Sequence, residues 1–165
     1  MIIKRHQIKS ELTDSLYELI NSRYSELFYA VLIHGSVATG EVIKYSDFDG
    51  LLIVKDEWVG SKKMHQFEID SMQLILKFDP LQHHGWFKIK ESDLRNYPED
   101  YMPVAVLEKA SLLYPNVTEL ELNITIGSNI NYNRVLLPML AQFEKRLNTH
   151  WKPKNLFQLA TILYH

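Results

Sequence analysis

The sequence predicts an α/β (α+β) domain over residues 1–118, followed by a helical segment over residues 131–165. Three observations predict it. Two strand-like apolar runs, Ala30-Val31-Leu32-Ile33 and Leu51-Leu52-Ile53-Val54, read as buried strands. Amphipathic helical stretches lie on either side of them. Helical periodicity then returns from about residue 132 and continues to the end of the sequence.

The elements follow in order. From Ser10 to about Leu27, the residues Leu12, Leu16, Leu19, Ile20, Tyr24 and Leu27 recur at three- and four-residue steps, so this helix is expected to cover the sheet beginning at Phe28. Trp58 to about Phe78 is the second helix, stopped by Asp79-Pro80 because a residue before proline avoids the helical region. Glu68 and Asp70 within it read as solvated charges. Gln82 to Ile89 reads as a third strand, and Lys90 to Asp100 as a surface connection. Pro103 opens a short helix through Glu108, since proline suits a first helical position. Ser111 to Tyr114 is a final strand, and the alternating Leu120, Leu122 and Ile124 belong to a linker or an extra edge strand. Val135, Leu136, Met139, Leu140, Phe143 and Leu147 form the stripe of a helix over about 132–149, with Lys145 and Arg146 suiting its dipole. A second helix begins near Lys154. Its unfinished apolar stripe points to a larger helical domain or a partner-binding element.

Composition narrows the function classes. The chain has 165 residues, 46% apolar and 23% charged, with a net charge of −2. These values describe an ordinary globular protein without the basic field that a long nucleic acid requires. The absence of cysteine excludes disulfides, thiolate metal sites and a thiol nucleophile, and suits a reducing, cytoplasmic setting. Met1-Ile2-Ile3-Lys4-Arg5-His6 is charged too early for a signal peptide, and no apolar run approaches the ~20 residues of a membrane span. Asn116-Val117-Thr118 and Asn123-Ile124-Thr125 match the glycosylation sequon by chance.

The chemistry concentrates between the two apolar runs. Gly35-Ser36 breaks the first strand. Ten residues, Val37 to Ser46, separate it from Asp47-Phe48-Asp49. In a strand, residues two apart share a face, so Asp47 and Asp49 are expected to project together with Phe48 opposed. Paired carboxylates repel unless neutralised, and a divalent cation such as Mg²⁺ serves by taking one or two carboxylates plus phosphate oxygens and water. Glycine permits close backbone approach, and a helix beginning at Ser36 would aim its N–H groups at an anion while Ser36 acts as its N-cap.

This stretch resembles the signature of the DNA polymerase beta-like nucleotidyltransferase superfamily, in its minimal form. That pattern is Gly-Ser, ten residues, then Asp-x-Asp between two strands, and it fits here without a gap. The resemblance extends loosely over 28–115 and implies a nucleotidyltransferase fold, a mixed β-sheet covered by helices. It implies transfer of a nucleoside monophosphate from a nucleoside triphosphate, with ATP the expected donor, to a hydroxyl of a small molecule or protein, releasing pyrophosphate. Asp47 and Asp49 would hold Mg²⁺, one ion or two, while Gly35 and Ser36 would bind the β- and γ-phosphates. Lys44 and His34 are further phosphate candidates, although a loop lysine is more often solvated and a histidine ending a strand is more often structural. The family's third carboxylate belongs on the strand after the second helix, where this sequence has His83, His84, Trp86, Phe87 and Lys88. Asp79 displaced into the role, His84 as substitute, or an empty role are the three alternatives. A binding module, such as the antitoxin partner of a toxin, is the second functional class, with the C-terminal helices as a partner or oligomer surface.

Overall fold

A computed structural model gives the structure of the chain and describes residues 1–43, 46–79, 85–128, 130–149 and 152–153. Lys44, His83, His84 and the segment from Lys154 onward lie outside the described residues.

Strand β1 (Ile2–Lys4) leads to helix α1 (Glu11–Leu19), which Ser10 caps by accepting a hydrogen bond from the Thr13 N–H. The helical path continues through a π-type stretch, Ile20–Tyr24, and a 3-10 turn, Ser25–Leu27. Strand β2 (Phe28–His34), helix α2 (Gly35–Thr39) and strand β3 (Asp49–Val54) follow. Helix α3 spans Lys62–Phe78. It begins later than Trp58 because Ser61 caps it, accepting from the Met64 N–H at 3.1 Å, while Asp56–Trp58 form a separate 3-10 turn.

Strand β4 is Phe87–Lys90, shorter than the expected run from Gln82, whose residues 82–84 are outside the described set. Glu91–Asn96 is a 3-10 helix, and it anchors the connection to the core through Leu94 and Tyr97. Helix α4 (Val104–Leu107) has Pro103 as its cap, one position earlier than expected. Strands β5 (Ser111–Tyr114) and β6 (Glu119–Glu121) and helix α5 (Asn133–Asn148) complete the order.

The main sheet has the order β4-β3-β2-β5. It is mixed: β2 pairs antiparallel with β3 and β5, and β3 pairs parallel with β4 through the α3 crossover. β1 and β6 form a separate antiparallel pair, so the extra edge strand goes to the N-terminus rather than to the main sheet.

Both faces of the sheet are covered, which explains why β2 and β3 read as continuous apolar runs rather than as alternations. Val31, Ile33, Leu52 and Val54 pack with Leu16, Ile20, Phe67 and Ile75 of the α1 and α3 layer. Ala30, Leu32, Leu51 and Ile53 pack on the other side with Ile3, Leu94, Tyr97 and Leu107. Truncating a fully buried leucine in such a core costs about 2–5 kcal/mol. α5 has a different environment: Leu136, Leu140 and Leu147 are exposed. No helix among the described residues is long and apolar enough to cross a membrane.

Candidate functional site

The ends of the central strands place the signature residues. β2 and β3 are antiparallel and His34 pairs with Asp49, so the last residue of one strand faces the first residue of the other. Gly35 follows at once, with φ +66°, a conformation that L side chains rarely adopt. A Cβ built on Gly35 would lie 2.5 Å from Asp49 Oδ2. The backbone therefore approaches the carboxylate as closely as only glycine allows.

α2 starts at Gly35, with His34 as its cap, and Ser36 lies inside its first turn. Ser36 is thus not the N-cap. The turn out of β2 is made at Gly35, one residue earlier. Gly40, at φ +77°, ends α2 with its N–H donating to the Ser36 carbonyl, and the Glu41 N–H donates to the same carbonyl at 3.0 Å. Ser46 prepares the return. Its hydroxyl accepts from the Ile43 N–H at 2.9 Å, and its own N–H donates to the Ile43 carbonyl.

Asp47 precedes β3 and Asp49 opens it, both partly exposed, with buried Phe48 between them. Phe48 packs edge-on against Trp86 at 5.1 Å between centroids. The Trp86 Nε1–H donates to Ser71 Oγ of α3 at 2.9 Å. Gly50 makes room for this ring, since a Cβ there would collide with the Trp86 indole. Trp86, Ser71 and Gly50 thus support the acidic segment, and none of them carries a sequence signature of that role.

The neighbouring strand supplies no acid at the corresponding place. Leu51 is in register with Phe87, and Asp49 shares the face of Leu51. Phe87 therefore lies on the aspartate side, with its ring 5.8 Å from the His34 ring and 6.1 Å from Tyr101. His34 is 7% exposed, the mark of a wall residue. The register is observed from Leu51 and Phe87 onward; continued two residues back, it would bring Gly85 beside Asp49. Asp79 is buried at the C-cap of α3. Because α3 crosses between parallel strands, this is the sheet end at which β3 begins. No group of three or more His, Asp or Glu among the described residues could hold a metal ion, so the three aspartates do not form such a cluster.

Two adjacent carboxylates are hard oxygen donors. With substrate phosphates and water they match what Mg²⁺ requires, and they would not suffice for an all-protein metal cage. Glu68 and Asp70, expected as solvated charges, are instead structural. Glu68 pairs with Lys88 of β4, and Asp70 takes an ion pair from Arg23 at 2.9 Å and a hydrogen bond from the Tyr24 hydroxyl at 2.7 Å.

No protein-family model matches the sequence, and no curated protein matches it. Among solved structures, a protein from Sulfolobus solfataricus described as a putative nucleotidyltransferase is similar in chain path. It is 22% identical, with a TM-score of 0.32 over 64% of this chain and 79% of that one. Likeness at that level assigns this chain no activity.

Proposed function

We propose that the chain is a Mg²⁺-dependent nucleotidyltransferase that moves a nucleoside monophosphate from a nucleoside triphosphate, ATP being the expected donor, to an acceptor hydroxyl. The observation that carries the reading is the approach of Gly35 to Asp49, with Asp47 two residues before it at the same sheet end. The acceptor oxygen attacks the α-phosphorus, the bond to the β-phosphate oxygen breaks, and pyrophosphate leaves. Mg²⁺, when bound, supplies the neutralising charge for triphosphate and transition state. Asp47 and Asp49 would be its protein ligands, while the Gly35-Ser36 backbone and the Ser36 hydroxyl would bind the outer phosphates. Asp79 and His84 are the candidates for accepting the hydroxyl proton.

Calorimetric binding of the four nucleoside triphosphates, with and without Mg²⁺, tests this on wild type and Asp47→Asn/Asp49→Asn. Mg²⁺-dependent binding that disappears in the double variant is the expected result. Binding that survives in it would sink the proposed site.

A second reading is favoured by one observation: apolar Phe87 occupies the face of β4 where an acid would complete the set. In that reading the domain binds nucleotide weakly or not at all and acts as a binding module, such as an antitoxin partner. The helical segment would be its docking element, which the exposed Leu136, Leu140 and Leu147 of α5 support. Asp49→Asn separates the two readings: it abolishes transfer by an enzyme and leaves partner binding by a module untouched.

A further inference from the structure

On the opposite flank of the sheet from β4, the segment after β1 runs beside β5: Arg5 bridges to Leu112, and the His6 N–H donates to the Leu112 carbonyl at 2.8 Å. Between this segment, β5 and the first turns of α1 lies a cavity of about 220 Å³. Arg5, His6, Lys9, Thr13, Asp14 and Tyr17 line it. The Arg5 guanidinium is held over the Tyr17 ring at 5.3 Å. Its Nη1 is buried without a hydrogen-bond partner among the described residues, although the Asp14 carboxylate borders the same cavity. His6 Nδ1 is engaged by Ser111 Oγ at 2.8 Å, leaving buried Nε2 without a partner among the described residues. Burial lowers the His6 pKa, against smaller opposing effects of the Ile8 backbone and Asp14, which favours a neutral ring. The walls then carry two cations, Arg5 and Lys9, against one carboxylate.

A guanidinium with a buried, unused donor, fixed by an aromatic ring and joined by a lysine, suits a tetrahedral oxyanion. The cavity is also linked to the signature loop. A Cβ on Gly40 would come within 2.8 Å of Ile8 Cδ1, so the turn ending α2 rests on a residue of the cavity wall.

We infer that the Arg5–His6 cavity is a phosphate-binding site, separate from the Asp47/Asp49 site and set against the loop that follows Ser36. The inference does not depend on the nucleotidyltransferase reading. Phosphate is recognised by the Arg5 fork and Lys9, with neutral His6 donating from Nε2 when the Ser111 hydroxyl donates to Nδ1.

The test is titration of the full chain with inorganic phosphate, followed by calorimetry and by the side-chain N–H resonances of arginine. Wild type is expected to bind saturably. Arg5→Gln should weaken binding about tenfold and Lys9→Ala, at the exposed rim, about threefold, as for loss of charge-assisted hydrogen bonds. Asp47→Asn/Asp49→Asn should leave phosphate binding unchanged, which keeps this site distinguishable from the catalytic proposal. Circular dichroism verifies the fold of each variant, and Lys9→Ala decides the matter if Arg5→Gln does not fold. Competition by phenyl phosphate would assign the site to a phosphorylated ligand. Binding of inorganic phosphate alone would assign it to the free ion. Absence of saturable binding by wild type, or equal affinity in wild type and both cavity variants, would overturn the inference.

Discussion

Gly35 and Asp49 stand so close that a methyl group on the glycine would lie 2.5 Å from a carboxylate oxygen of the aspartate. Both halves of the signature therefore meet at one point, where β2 ends and β3 begins. Gly35→Ala is expected to lower stability by about 1–2 kcal/mol, the usual cost of a left-handed conformation for an alanine. It should also displace Asp49 and weaken Mg²⁺-dependent nucleotide binding at least about tenfold, since a misplaced ligand forfeits about 1.4 kcal/mol or more. Urea denaturation and calorimetry would read the two effects. Unchanged nucleotide binding with reduced stability would mean that the close approach serves folding alone.

Trp86 and Gly50 make a second dependency. The indole occupies the space over Gly50, packs on Phe48 and hydrogen-bonds Ser71. Gly50→Ala should destabilise by about 1–3 kcal/mol through overpacking. Trp86→Phe should cost about 1–3 kcal/mol, because it leaves the buried Ser71 hydroxyl without this donor and opens space beside Phe48. Denaturation midpoints test both. A neutral Trp86→Phe would show that the ring does not brace the segment between Asp47 and Asp49.

The signature and the two central strands were legible because each rests on local pattern. The apolar runs are buried on both faces, and the glycine, serine and aspartates stand at a fixed spacing between them. What escaped the sequence is non-local. β1 is too short to show a period and exists because β6 pairs with it. Asp70 looks solvated on its own helix, and only packing of α3 beside α1 brings Arg23 and Tyr24 to it. Gly50 is one more glycine until Trp86, far along the chain, is seen above it. Arg5 and His6 acquire a shared cavity only because their segment lies along β5.

Asp70 gives a pH dependence. The Tyr24 hydroxyl, then Gln66 and Arg23, hold its carboxyl below the usual carboxylate range. A depressed folded pKa contributes stability that is present above the unfolded value, about pH 4, and is lost as pH falls through the folded value. Asp70→Asn should therefore destabilise by about 1–2 kcal/mol at neutral pH, a partly exposed charged hydrogen bond being discounted for screening. The difference from wild type should shrink on acidification below about pH 4. Denaturation across that range tests it. A difference constant with pH would indicate that Asp70 acts through packing rather than charge.

Gly85 offers the sharpest test of the missing third acid. The parallel register, observed from Leu51 and Phe87 onward, would set it beside Asp49 if it continued two residues back, and a Cβ built there meets nothing within 4 Å. A carboxylate at this position would complete three acids at one sheet end, the number that raises divalent-cation affinity over a pair. Gly85→Asp is expected to fold normally and to bind Mg²⁺ with nucleotide about tenfold more tightly than wild type, equivalent to about 1.4 kcal/mol. If an acceptor is found, transfer should rise as well. The gain should vanish when Asp47 and Asp49 are also changed to asparagine, because the new carboxylate has no site to complete without them. A folded Gly85→Asp that binds Mg²⁺ and nucleotide no better, or worse, would mean that β4 does not bring position 85 to the aspartate pair. Asp79, His84 or an empty role would then remain as the alternatives for the third group.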